Sequence, residues 1–447
     1  MKRFKILILA LSSIIALCAN NGVYSQTPLS AREYIKLTEF KLENGLHVII
    51  NRDTTSPIVT IGTMYHVGGK NEDSGKTGFA HLCEHLMFHG TKNISEGNFE
   101  KIIREAGGYS NASTTSDRTY YYLIMPANQL ETALWLEAER MLAPTISQSG
   151  LLREIEVVKE ELRVRYKRGA LSNAENIMMD FVFTEHPYKQ PLIGYEEHLN
   201  SVTTDYFYNF TRKWYTPDNA TLVVSGDVEI DEIKEMVYKY FAHIPKGEIK
   251  RERPIFNPQT QINGRSQTVK IAGLESPHLI LSYFAVPEGE RDADILKFVI
   301  NLMTEEGVGE LRQLQNDTTQ GIKKITASPE FYEDAGMVWF RVSFNKEEEM
   351  GKVKAKIEEL LKKYSTTGVE KSRIERLKKS YLSDFIDLYF SPSVIAEFAA
   401  WSYLLKGDPY YNIELVERIN SITNEEIKRV VNTYLIEDRL NYLLFTK

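Results

Sequence analysis

The sequence predicts an α+β fold of two related domains, each a mainly antiparallel sheet packed with helices. Three observations lead there. A chain of 447 residues exceeds what one hydrophobic core holds. Short alternating apolar runs are interspersed with longer runs of helical period. The ends of the two halves also repeat each other. His198-Leu199-Asn200-Ser201-Val202-Thr203 matches Arg418-Ile419-Asn420-Ser421-Ile422-Thr423, an offset of 220 that places Asn420 on Asn200. Kept without a gap, it lays Asp218 on Asp438 and Leu222-Val223-Val224 on Tyr442-Leu443-Leu444. His186-Pro187-Tyr188 resembles Asp408-Pro409-Tyr410 at nearly the same offset. The domains are expected over 34–245 and 265–447, joined by a turn-rich, charged linker over 246–264.

Charged residues make up 26% and hydrophobic ones 43%, an ordinary globular balance. A net charge of −7 and a pI near 5.9 argue against nucleic acid as a partner. The chain opens Met1-Lys2-Arg3-Phe4-Lys5, followed by an apolar run over 6–19 and Val23-Tyr24-Ser25 before Gln26. This predicts a signal peptide over 1–25, because the run is shorter than the ~20 apolar residues a span requires. The protein is then exported, to the periplasm of a Gram-negative bacterium or beyond. A lipid anchor at Cys18 is the competing reading, ranked second because Leu17 is too large for that cleavage site. The mature chain keeps one cysteine, Cys83, so it forms no internal disulfide.

Taken in order, residues 38–52 read as a hairpin around Asn44-Gly45, with Phe40, Leu42, Leu46, Val48 and Ile50 alternating. Residues 58–67 form a strand ending at Gly68-Gly69, and polar residues 70–76 a loop. A helix over 95–106 stops at Gly107-Gly108. Residues 109–122 read as two strands joined at Ser116-Asp117. The first, of small polar residues, is either a plain edge strand or an edge left open to an extended peptide. Helices are expected over 126–143, 147–166, 175–183, 203–214 and 230–241, and a strand over 220–225.

The chemistry concentrates in residues 78–91, within which stands His81-x-x-Glu84-His85. On a helix, positions four apart share a face, so two imidazoles stand side by side. Two His, one carboxylate and an open position are the ligand set of a catalytic zinc. Glu84 stands where a general base for the metal's water belongs. The order is the inverted form of the H-E-x-x-H zinc helix. Phe79, Leu82, Leu86, Met87 and Phe88 make the other faces apolar, and polar groups on a buried helix require partners. The third ligand is open among Glu154, Glu156, Glu160 and Glu161, since helix 147–166 is the densest acidic source downstream.

These residues resemble the pitrilysin/insulinase family of zinc peptidases, the inverzincins. The likeness covers nearly all the mature chain, through residues 78–91, 107–122, 153–161 and Tyr215-x-Pro217-x-Asn219-Ala220-Thr221 onward to Gly226-Asp227. The length fits the half-sized branch, with mitochondrial processing peptidase and many bacterial peptidases. The family pairs two Glu seven residues apart on the downstream helix. The resemblance therefore implies Glu161 as third zinc ligand and Glu154 as the carboxylate that orients the site. Glu160 fits the pair less well, because Arg153 stands seven before it. One Zn2+ per chain is implied, as is endopeptidase action on extended or unfolded peptides inside a chamber. Asn111 and Ala112 are implied to pair with the substrate backbone.

Many active relatives carry Arg-x-x-x-Gly-x-x-Tyr in the second half, gripping substrate near the zinc. Aligned on Gly321, this chain has Asp317 and Lys324 there. The expectation is a heteromer in which a homologous partner subunit supplies the Arg and Tyr. The alternative is a non-catalytic core or peptide-binding chaperone subunit of the same fold. Such relatives generally lose ligands, whereas this chain has all five site residues.

Overall fold

The computed structural model describes residues 30–166, 169–253, 264–389 and 391–447. The expected signal peptide over 1–25, with Cys18, and positions 254–263 of the expected linker lie outside the described residues. No helix among the described residues is long and apolar enough to cross a membrane.

The first sheet holds β1 (Leu37–Lys41), β2 (His47–Arg52), β3 (Ile58–Tyr65), β4 (Tyr109–Thr114), β5 (Thr119–Pro126) and β6 (Ala220–Gly226). Its order is β1-β2-β6-β3-β5-β4, antiparallel except where β2 meets β6. The longer helices of this half are α1 (Phe79–Leu86), α2 (Phe99–Glu105), α3 (Leu130–Leu142), α4 (Gln148–Tyr166), α5 (Ala174–Val182), α6 (Thr204–Trp214) and α7 (Ile230–Phe241). All but α5 pack on one face, where Ile61, Leu82, Leu134, Val158, Phe210 and Leu222 share one core.

Two helix starts differ from the periodic reading. α2 begins at Phe99 rather than residue 95, because Gly97 at φ +81° turns the chain just before it. α3 begins at Leu130 rather than 126. Pro126 closes β5 opposite Ile58, where a strand end tolerates a residue without an N–H.

The second sheet holds β7 (Ser266–Lys270), β8 (His278–Ala285), β9 (Ile322–Phe331), β10 (Gly336–Phe344) and β11 (Leu440–Thr446), in the order β7-β11-β8-β10-β9. Only β7 and β11 run parallel, as β2 and β6 do in the first sheet. Its longer helices are α8 (Arg291–Thr304), α9 (Glu310–Asn316), α10 (Met350–Thr366), α11 (Lys371–Tyr389), α12 (Pro392–Lys406) and α13 (Asn424–Tyr434). The offset of 220 read from the sequence carries β3 onto β8, α6 onto α13 and β6 onto β11, with both ends coinciding residue for residue.

The two halves exchange helices. The outer face of the first sheet, with Ile49, Met64, Tyr120 and Val223, is covered by Ile395, Ala396, Ala399 and Ala400 of α12. The outer face of the second, with Ile280, Phe284, Met337 and Trp339, is covered by Ala174, Met178 and Val182 of α5. The two sheets are therefore separate in sequence, but their outer faces are not independent. Each sheet would present a bare apolar face to water without a helix from the other half.

A buried charge cluster closes the seam. Lys70, with its side chain 2% exposed, lies 2.9 Å from Asp117, 2.6 Å from Glu333 and 2.9 Å from Asp334. The last two form the β9–β10 turn of the second half. His66 meets Glu333 at 2.7 Å, and His186 meets Asp334 at 3.1 Å. Tyr188 donates to Asp117, and the Asp334 N–H donates to the Tyr188 hydroxyl oxygen at 3.0 Å. Burial pushes both turn carboxyls up. His66 and Lys70 outweigh it at Glu333, and His186 and Lys70 at Asp334, holding each at about 2.

Removing the central cation strands three carboxylates in the seam. Lys70→Met is expected to cost ~3–5 kcal/mol, read by urea denaturation. Both folded values lie below the ordinary 4.5 and 3.8. Their contribution is therefore complete above about pH 4.5 and is lost as pH falls towards about 2. A stability-versus-pH series should show that loss, and Glu333→Gln/Asp334→Asn should flatten it.

Candidate active site

The sequence makes α1 an eight-residue helix buried on most sides. Phe79, Ala80, Leu82, Cys83 and Leu86 enter the core, and Cys83 is a free, buried thiol. Its N-terminus has no capping side chain of its own, since Gly78 at φ +86° occupies the cap position. Glu72 replaces the cap, accepting from the N–H groups of Gly78 (3.0 Å) and Ala80 (2.7 Å). A Cβ at Gly78 would collide with the Ile193 carbonyl and Gly194, so loop 191–194 fixes the start of the helix. At the other end, buried Arg140 donates to the Met87 carbonyl (3.4 Å) and pairs with Glu137 at 3.1 Å. The rings of Phe88, Phe99 and Tyr121 surround its guanidinium at 4.4–4.6 Å.

The remaining stripe of α1 carries His81, Glu84 and His85. The two imidazole centroids lie 4.9 Å apart with ring planes at 78°. Helix α4 crosses this stripe and brings Glu161 to 3.7 Å from His81 Nε2. His81, His85 and Glu161 each offer one donor atom, all within 4.8 Å of one another, the one such group among the described residues. Glu160 turns outward to Arg163 at 3.5 Å, with 59% of its side chain exposed. About two turns back on α4, Glu154 Oε2 lies 3.3 Å from His85 Nδ1, which leaves Nε2 of that ring on the side of the cluster.

Burial pulls His81 down to about 4, helped by His85 and Arg165, so its imidazole is neutral at pH 7. At His85 burial pulls the same way, but the Glu154 hydrogen bond and the carboxylates of Glu84 and Glu161 overcome it and raise it. Glu154 is held at about 2 by His85 and His89. Burial raises the Glu84 carboxyl, opposed by a hydrogen bond donated from the Thr114 hydroxyl. A raised carboxyl suits a proton acceptor working near neutrality.

Thr114 belongs to β4, which lies at the sheet edge, paired only with β5 among the described strands. Asn111 and Ala112 lie on this strand opposite Tyr122 and Tyr121. Asn111 Oδ1 accepts from the Ala112 N–H at 2.9 Å, a local bond that an incoming strand would replace. Glu84 lines two hollows beside β4. One, of about 490 Å³, has His85, Phe88, His89 and Asn111 in its wall; the other, of about 200 Å³, has His81, Ala112, Thr114 and Arg165.

The fold thus brings together His81, Glu84, His85, Glu154 and Glu161, with Asn111 and Ala112 along the adjoining edge. The donor set of two imidazoles and a carboxylate fits zinc. Three carboxylates around two imidazoles give an excess of negative charge that a divalent cation balances. His81 Nδ1 is also buried without a hydrogen-bond partner. Sequence reasoning missed Thr114, Arg165 and His89. His89 had a signal, since it continues the stripe His81, His85 by four more residues. Thr114 and Arg165 reach the site only through the fold. At the positions aligned with the substrate-gripping Arg and Tyr, Asp317 accepts from the Thr319 N–H (3.0 Å), and Lys324 is exposed on β9.

A family model described as Insulinase (Peptidase family M16) matches residues 47–195, and one described as Peptidase M16 inactive domain matches 201–381. The chain is 27% identical over 455 residues to the zinc protease PqqE of Helicobacter pylori, covering 100% of each. It is 23% identical over 416 residues to a probable mitochondrial-processing peptidase subunit beta of Arabidopsis thaliana, covering 89% of this chain and 76% of that one. A crystallised protease from Helicobacter pylori superposes with a TM-score of 0.85 at 25% identity, covering 92% of this chain and 100% of that chain. The periplasmic protease PqqL of Escherichia coli shares the fold, with a TM-score of 0.73 at 20% identity over 92% of this chain and 47% of that one. The inverted His-x-x-Glu-His helix, the seven-spaced carboxylates and the doubled sheet agree with these likenesses, and the chain belongs to the insulinase family, peptidase family M16.

Proposed function

We propose that the chain is a zinc metalloendopeptidase acting on extended or unfolded peptides. The observation that carries this is the convergence of His81, His85 and Glu161 within 4.8 Å, with Glu84 between them and an open strand edge. These three residues would hold one zinc, and Glu154 would fix the His85 ring through Nδ1. Bound there, zinc supplies Lewis-acid polarisation of the scissile carbonyl and acidifies its water.

The chain's own residues do the rest. The substrate backbone pairs along Asn111 and Ala112, which brings a peptide bond to Glu84. Glu84 takes the proton of the attacking water and passes it to the leaving amine. Thr114 holds one oxygen of Glu84, so its other oxygen faces the reacting atoms. The two hollows beside Glu84 receive the side chains that flank the bond.

In this reading the chain is the zinc-bearing subunit of a heteromer. Aligned on Gly321, Asp317 and Lys324 replace the Arg and Tyr with which many active relatives grip substrate, so a homologous partner supplies those groups. Residues 1–25 direct export to the periplasm or beyond, and Cys18 as a lipid anchor ranks second. A purely non-catalytic subunit would have no use for a base at Glu84.

The test is cleavage of a quenched fluorescent peptide by the full chain, alone and with a homologous subunit carrying the Arg and Tyr. Glu84→Gln is expected to lower turnover at least about 100-fold while keeping its zinc. A chelator abolishes wild-type cleavage. Equal cleavage by both proteins would sink the assignment, and full activity of the chain alone would remove the heteromer. Glu161→Gln should weaken zinc binding at least about tenfold and Glu160→Gln should leave it unchanged, read by chelator competition. The reverse order would move the ligand to Glu160.

A further inference from the structure

We propose that His89 is a positioning residue of the metal site, resting on the metallopeptidase reading above. It holds Glu154 in the orientation in which that carboxylate fixes His85. The His89 side chain is only 12% exposed, and Nε2 lies 2.9 Å from Glu154 Oε1. The other oxygen of the same carboxylate lies 3.3 Å from His85 Nδ1. Glu154 is therefore held from two sides by imidazoles four residues apart. With His85 alone as partner, its carboxylate could turn about its last bond and release Nδ1.

His89 Nδ1 is buried without a hydrogen-bond partner and lies 3.3 Å from Glu96 Oε1, and Glu96 is bound by Arg153 and by the Ser147 hydroxyl at 3.1 Å. The backbone locks the arrangement. The His89 N–H donates to the Leu86 carbonyl (3.1 Å), and the Gly97 N–H donates to the His89 carbonyl (2.9 Å), which ties in the loop bearing Glu96. A chain of four side chains, Glu96, His89, Glu154 and His85, thus runs from the rim of the larger hollow to the metal cluster. Such outer partners set how well a ligand is presented, and their loss typically weakens metal binding 10–100-fold.

The experiment is zinc titration of the metal-free full chain against a competing chelator. His89→Phe keeps the ring but removes both nitrogens, and His89→Gln keeps an N–H donor within reach of Glu154. We expect zinc affinity to fall about tenfold or more in His89→Phe and to return to within about threefold of wild type in His89→Gln. In a Glu154→Gln background, His89→Phe should add little further loss, because it acts through that carboxylate. Thermal unfolding of the metal-free variants separates misfolding from misplacement. Wild-type affinity in His89→Phe, equal loss in both His89 variants, or additive losses with Glu154→Gln would each overturn the inference. The metallopeptidase reading stands or falls separately, on whether wild type binds zinc and His81→Ala does not.

Discussion

A helix buried on most sides carries a polar stripe at a cost that partners for its polar groups offset. That constraint organises the first half of this protein. α1 must enter the core through Phe79, Leu82, Cys83 and Leu86, so His81, Glu84 and His85 are taken out of bulk water with it. α4 answers with Glu154 and Glu161 two turns apart on one face, and β4 answers with Thr114. The ends of α1 are fixed by Glu72 and Arg140. The cluster is therefore positioned by contacts from α4, β4 and both ends of α1.

The second half shows the same scaffold without the His-Glu cluster. β8 follows the course of β3 at an offset of 220, yet the helix after it, α8, carries no histidine. Its own polar row, Asp294, Lys297 and Asn301, is met by Arg418, Glu288 and Tyr381. The half that lacks the His-Glu cluster still supports the half that has it. Its helix α12 closes the back of the first sheet, and its β9–β10 turn is pinned by Lys70 beside the β4–β5 turn. The strand edge next to Glu84 is thus held by both halves.

Much of this was legible in the sequence, because it depends on local period or fixed spacing. The stripe of α1, the turn at Asn44-Gly45 and the offset of 220 stand in the residue pattern itself, whereas Glu154 and Glu161 were singled out among four Glu only through the family resemblance. What was not legible depends on distant pairs. Lys70 reads as part of a polar loop, and only its encounter with Glu333 and Asp334, more than 260 residues on, makes it a buried clamp. α5 and α12 have ordinary apolar faces, and nothing in their own residues says which sheet they cover. The start of α3 was misplaced because Pro126 is acceptable both in the first turn of a helix and at the end of a strand. Pairing with Ile58 decides it. His89 lay in plain view at the next step of the stripe, beyond the motif that drew the reading to His81 and His85.

The proposed zinc and the proposed peptide strand share the same few residues. Zinc-edge anomalous diffraction from crystals of the Glu84→Gln full chain, grown with zinc and an extended peptide, tests this most directly. The predicted result is a single peak bonded by His81, His85 and Glu161, with the peptide paired along β4 at Asn111 and Ala112. A zinc-replete crystal with no peak there, or a peak bonded by Glu160 in place of Glu161, would contradict it.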